Sequence, residues 1–153
     1  MKKITLTLLF LVFGVLLSYG QFAKEMTVEN EQIPPEFSQF EGTLLIVSQY
    51  KAWDKYAKKA FDANYKGKYK FVTKKDDESN YNDLDTYRYI LSPSFSSSLN
   101  SAPGSSFGSS HTSSERLVLL DRKTGKQYKT RSTAFYGKLL KAYAAALELE
   151  RSK

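Results

Sequence analysis

The stretch TLLIVSQYKAWDKYAKKAFDANYKGKYKFVT, residues 43–73, changes its hydrophobic period twice, and those changes decide the fold. Leu44-Leu45-Ile46-Val47 is a continuous apolar run, the pattern of a strand buried on both faces. From Lys51 to Tyr65 the period lengthens. Trp53, Tyr56, Ala57, Ala60, Phe61 and Asn64 recur at helical spacing, while Lys51, Asp54, Lys55, Lys58, Lys59 and Asp62 take the other side. This predicts an amphipathic helix with its core stripe inward and a solvated lysine face outward. Gly67 stands where a left-handed helix stop is expected. Lys68–Thr73 then reads as a second strand, with Tyr69 and Phe71 on one side. A strand, a helix and a returning strand make a right-handed crossover unit.

Toward the C-terminus, Lys74–Asp83 is densely charged and reads as a loop. Leu84–Leu91 alternates Leu84, Thr86, Arg88 and Ile90 against Asp85, Tyr87, Tyr89 and Leu91, which predicts a strand. Residues 92–114 hold twelve serines with Pro93, Pro103, Gly104 and Gly108, and no periodicity. Judged by the apolar surface it can bury, this segment is expected to be a mobile Ser-rich loop. RLVLL, residues 116–120, leads through Asp121-Arg122-Lys123-Thr124-Gly125-Lys126 into a strand over Gln127–Arg131, with Gly125 supplying the positive φ of the turn. Ser132-Thr133 is the expected N-cap of a helix over Ala134–Arg151, with Tyr136, Leu139, Leu140, Tyr143, Ala146, Leu147 and Glu150 along its inward stripe.

Toward the N-terminus, residues 21–40 contain Pro34-Pro35 and read as an irregular leader docked through Ile33, Phe37 and Phe40. Residues 1–20 carry Lys2-Lys3, an uncharged apolar run from Ile4 to Leu17, and small residues at Ser18 and Gly20. That is the layout of a secretory signal peptide, with cleavage expected before Gln21. The apolar run falls short of the roughly 20 residues a spanning helix needs, so no transmembrane anchor is expected after cleavage. The destination implied is the periplasm or the extracellular medium, and the short basic start and short apolar run look bacterial.

The order is thus β-α-β-β-loop-β-β-α over residues 41–153, an α/β (α+β) domain. A mixed sheet of four to five strands is expected, with the two helices packed most simply on one face. The leader or the Ser-rich loop is then available to cover the other.

Composition narrows function by exclusion. With Lys2 and Lys3 removed, the processed chain keeps 21 basic residues against 16 acidic ones, a net charge of +5. Outside the cytoplasm such a surface meets anionic lipid headgroups, acidic glycans and extracellular DNA. The absence of cysteine excludes thiol catalysis, Cys-ligated zinc and a disulfide framework. No cofactor is expected.

Two lysine- and arginine-bearing clusters are the candidate binding residues: Lys55, Lys58 and Lys59 on the first helix, and Arg122, Lys123 and Lys126 on the second hairpin turn. Their chemistry suits a lipid headgroup or glycan, or an acidic partner protein, better than nucleic acid, because the interleaved aromatics fall on the core stripe instead of on a stacking surface. Charged hairpin edges of this kind also discourage edge-to-edge pairing.

Catalytic and metal patterns are weak. His111 has serines around it but no nucleophile elbow. The oxygen-rich stretch 76–85 lacks the glycine and glutamate positions of a calcium loop, and a solvated acidic turn is expected there. The leading expectation is a non-enzymatic exported accessory domain that binds a partner protein or an anionic envelope component. The rivals are a small hydrolase and a structural component of a surface assembly. The hydrolase uses a carboxylate pair from the 76–85 stretch, such as Asp83 and Asp85, or the loop histidine His111, and the carboxylates then require a concave site and raised pKa values.

Overall fold

The computed structural model describes residues 24–73, 75–76, 78–100 and 110–153. Among them, β1 (Thr43–Val47), α1 (Lys51–Asn64), β2 (Lys68–Val72), β3 (Tyr89–Asn100), β4 (Ser110–Asp121), β5 (Gln127–Lys129) and α2 (Tyr136–Arg151) follow in chain order. The strands form one mixed sheet in the order β2-β1-β3-β4-β5. The expected α+β architecture and element order are therefore present. β1 pairs in parallel with β2 from Thr43↔Lys68 to Val47↔Val72, and with β3 at Leu45↔Ile90 and Ile46↔Leu91. β4 and β5 complete the sheet in antiparallel pairing.

The continuous apolar run of β1 is explained by its place between two neighbours. Leu44 and Ile46 belong to the main core, and Leu45 to a smaller cluster on the opposite face. The main core joins Leu44, Ile46, Tyr89, Leu91, Leu117, Leu119 and Tyr128 of the sheet to Trp53, Ala57, Ala60 and Phe61 of α1 and to Leu139, Leu140, Tyr143 and Leu147 of α2. Both helices thus share one face. The leader joins them there: Ile33, Phe37 and Phe40 are buried as expected, and the Phe40 ring stands edge-on to Tyr89 at 4.9 Å between centroids. A short 3-10 helix over Pro35–Gln39 sets that approach.

The buried Tyr143 hydroxyl donates to the Gln32 carbonyl at 2.8 Å, tying α2 to the leader. Tyr143→Phe leaves that carbonyl unpaired, and an orphaned buried acceptor costs about 1–3 kcal/mol. Chemical denaturation should show a loss of that size with the sheet's circular dichroism unchanged.

Among the described residues the opposite face is covered only in part, and by neither the leader nor the Ser-rich strands. Over β1 and β2 it is the connection from β2 to β3 that crosses, placing Tyr81 and Tyr87 with Leu45, Val72 and Ile90. Those two tyrosine rings meet edge-on at 5.2 Å. Arg122 fastens the connection by donating to the carbonyls of Tyr81 and Tyr87 at 2.6 and 2.8 Å.

The Ser-rich segment departs from expectation. β3 and β4 pair continuously from Tyr89↔Asp121 to Asn100↔Ser110, so 92–100 and 110–114 are strand, and residues 101–109 lie outside the described residues. Apolar burial was the wrong criterion there, because a two-stranded ladder satisfies its backbone by hydrogen bonding and accepts serine at every rung. The strand expected over Leu84–Leu91 begins only at Tyr89. Ahead of it the Asp83 carboxylate accepts the Asp85 and Thr86 N–H groups, which holds a turn.

Of three local expectations, one holds and two shift. Gly125 has φ +73°, as the hairpin turn requires. Gly67 is not left-handed; α1 ends through an extended Tyr65, and a Cβ at Gly67 would sit 2.5 Å from the Tyr65 ring. The N-cap of α2 is Phe135 instead of Ser132 or Thr133, because Thr133 is held extended by paired bonds to Glu115. The proposed signal peptide and cleavage point lie outside the described residues.

Candidate functional site

β5 runs parallel to β1, being antiparallel to β4, so α1 and α2 both start at the carboxyl end of the parallel strands. β1 leads from that end to one side and β3 to the other. The protein concentrates its exposed aromatic rings at that carboxyl end: Tyr50, Tyr56, Phe95 and Phe135 are all between 43% and 65% exposed.

Local sequence explains why these rings are outside. Tyr50 is the extended residue capping α1, and Asp54 turns back to accept the Gln49 N–H at 3.1 Å and the Ser48 hydroxyl. Tyr56 was expected on the core stripe but lies at its flank. The stripe closes with Trp53, Ala57, Ala60 and Phe61, and Tyr56 instead leans on α2 beside Gly137. It meets Tyr136 edge-on at 5.3 Å. Phe135 projects because the Thr133 hydroxyl accepts its N–H at 3.1 Å, ahead of the first helical turn. Between these rings runs an open groove of about 420 Å³, lined by Tyr56, Phe135, Tyr136, Lys138 and Lys141.

Lysines without acidic partners among the described residues gather on this surface, as they also do at Lys66, Lys68 and Lys70 in and just ahead of β2. Among the described residues Lys51, Lys55, Lys59, Lys138 and Lys141 have no acidic partner within 4.0 Å, and the Lys138 ammonium lies 5.6 Å from the centre of the Phe135 ring. Lys58 is different, since it faces Asp62 at 3.7 Å. Lys55, Lys58 and Lys59 together line a shallow depression along α1. The second cluster, Arg122, Lys123 and Lys126, lies at the opposite end of the sheet, where β4 turns into β5. Its cations are occupied by the fold: Arg122 by two carbonyls, Lys123 by Asp85, and Lys126 by Glu31 at 3.0 Å. The structure therefore does not bring the two clusters together.

Glu115 borders the aromatic end. One carboxylate oxygen faces the Tyr50 hydroxyl at 3.5 Å, a long contact, and the other is enclosed with no hydrogen-bond partner among the described residues. Burial raises its pKa, with the Tyr50 hydroxyl opposing. A carboxyl raised on folding weakens the fold above its folded pKa and leaves it unaffected below the ordinary glutamate range. Glu115→Gln should therefore raise the melting temperature at neutral pH. The difference from the parent should close as pH falls toward 4, which a pair of thermal melts checks.

Asp83 lacks the raised pKa that the hydrolase reading requires. Asp83 is held below the usual carboxylate range by the Thr86 hydroxyl and by the Asp85 and Thr86 N–H groups, the reverse of what a general acid needs. Asp85 is exposed and contacts Lys123. His111 stands in β4 opposite Leu99, not in a loop, and its side chain lies outside the described residues. Among the described residues no three carboxylate or imidazole groups converge on a point that would hold a metal, and no helix is long and apolar enough to cross a membrane.

Of the five lysines on this surface, the sequence singled out Lys55 and Lys59 as candidate binding residues. It did not single out Lys138, Lys141 or Phe135. The available signal was Phe135 itself, a large apolar residue directly ahead of a helix and off its inward stripe. A comparison of the chain with protein-family models, curated proteins and solved structures finds no match.

Proposed function

We propose that this protein is an exported, non-enzymatic binding domain that recognises an anionic envelope component through the outer face of α1 and α2. The ligand chemistry is a phosphate- or carboxylate-bearing lipid headgroup or acidic glycan. The observation that carries the reading is the set of lysines without acidic partners around exposed Tyr56 and Phe135 and half-buried Tyr136. The rings give flat apolar surface beside polar edges, suited to sugar rings or to the boundary of a lipid layer. The lysines supply long-range attraction that salt screens over about 10 Å at 0.1 M.

Co-sedimentation tests it, with two probes that separate the sources. One is vesicles of phosphatidylglycerol mixed with phosphatidylcholine, set against phosphatidylcholine alone; the other is soluble polygalacturonate. Binding to one of them, weakened by added salt, is expected. The triple variant Lys55→Glu, Lys59→Glu, Lys141→Glu should bind about a hundredfold more weakly, since each basic residue near an anionic surface contributes about 1 kcal/mol. Binding to neither probe, or a variant that binds like the parent, overturns the reading.

A further inference from the structure

β1 pairs with β3 only as far as Ile46↔Leu91, yet β3 continues to Asn100. On that side no strand faces the run from Pro93 onward among the described residues. β4 is covered on its other side by β5 and then by Thr133, but only down to Glu115. The outer part of the hairpin therefore projects past the sheet as a two-stranded arm. Nine residues of strand, 92–100, span about 30 Å. A two-stranded ribbon on its own is marginally stable in water and gains from a third strand. Pro93, which cannot donate to a ladder, fits a strand whose edge has lost its neighbour.

The charge pattern separates this edge from the others. The two outer edges of the sheet carry lysine, at Lys68 and Lys70 on β2 and at Lys129 on β5, beside Lys126. Lysine on an edge blocks pairing with another chain. From Ser92 to Ser114 the chain has no Lys, Arg, Asp or Glu, although a quarter of all its residues are charged. Ser94, Phe95, Ser96 and Ser97 are exposed.

We propose that this edge of β3 pairs with the same edge of a second copy of the chain, giving a two-fold dimer through the arms. A neutral edge offers no charge to select a foreign peptide, but it meets its own copy without repulsion and sets serine against serine. An antiparallel register centred on Ser97 uses the whole open run after Pro93 and places Phe95 of each copy in register with Leu99 of the other. The arrangement is isologous and closes on itself, so it stops at two copies. It does not depend on the anion-binding reading.

The test uses the processed protein, purified from the compartment in which it accumulates. Sedimentation equilibrium across the micromolar range should show a monomer–dimer equilibrium. Ser97→Lys puts a cation on the edge of each copy and should give a monomer with an unchanged melting profile. The chain has no cysteine, so Ser97→Cys introduces a single thiol, and mild oxidation should convert the protein to a covalent dimer. That readout does not depend on how the lysine variant folds. A monomer at every concentration overturns the proposal. So does a dimer that survives Ser97→Lys, a Ser97→Cys chain that stays uncrosslinked, or a monomeric chain whose arm takes up a strand from a foreign protein.

Discussion

Replacing Asp121 with alanine is expected to cost about 3–5 kcal/mol. Asp121 ends β4 with 1% of its surface exposed, and Arg88 grips it with two parallel bonds of 3.0 and 2.7 Å. The Lys123 N–H adds a third at 2.9 Å. Removing the carboxylate strands a guanidinium that is itself only 18% exposed, with Glu36 at 3.8 Å as its remaining acidic neighbour. It also frees the turn into β5. A double variant, Asp121→Leu with Arg88→Met, should recover part of the loss, because burying an ion pair costs desolvation that apolar residues avoid.

Burial alone would raise the Asp121 pKa; the Arg88 guanidinium, with the Lys123 N–H and the Thr124 hydroxyl, brings it below the ordinary value. A carboxyl depressed on folding contributes stability above the ordinary aspartate range, and that contribution disappears as pH falls through the folded pKa. The parent should therefore lose stability in acid faster than Asp121→Asn does. Urea midpoints measured between pH 6 and pH 2 check both the size and the slope.

Trp53→Ala should cost a similar amount, about 3–5 kcal/mol, by the removal of a fully buried indole. Trp53 is wholly enclosed and sits in the first turn of α1, where it anchors the helix over β1. Its ring nitrogen is enclosed with no hydrogen-bond partner among the described residues. An unpaired buried donor is itself destabilising, so the indole brings a penalty with its apolar area. Trp53→Phe should therefore lose much less than the volume change alone implies, roughly 1 kcal/mol. The chain has one tryptophan, so both variants lose the fluorescent reporter and unfolding must be followed by circular dichroism.

These two sites mark what was and was not legible in the sequence. Trp53 was readable because periodicity reports which side of a helix faces the core. The same logic placed Leu139, Leu140, Tyr143 and Leu147 inward, and identified Leu44–Val47 as a strand enclosed on both faces. Arg88 and Asp121 were not readable as a pair. They are 33 residues apart in sequence, and only the hairpin register, which sets Tyr89 opposite Asp121, brings them together. The arm was missed for a related reason. Its order comes from backbone pairing between two serine-rich strands, and no hydrophobic pattern records that.

The binding surface was half legible. A lysine face on the first helix follows from helical spacing alone. Its extension onto Lys138 and Lys141 required knowing that the helices lie side by side with their starts at the same end. Tyr56 was assigned to the core because spacing cannot show how a neighbouring helix packs, and here it meets Tyr136 of α2 at the flank of the stripe. On the β4–β5 turn, sequence could count cations but not see that Glu31, Asp85 and two backbone carbonyls already engage them.

Residue-resolved NMR titration of the processed protein with polygalacturonate and with phosphatidylglycerol-containing bicelles tests the central claim most directly. The predicted result is that shifts with one of these probes concentrate on Lys55, Tyr56, Lys59, Phe135, Tyr136, Lys138 and Lys141, and leave Arg122–Lys126 unmoved. Shifts centred on the β4–β5 turn, or no shifts with either probe, would contradict the assignment of binding to the α1–α2 face.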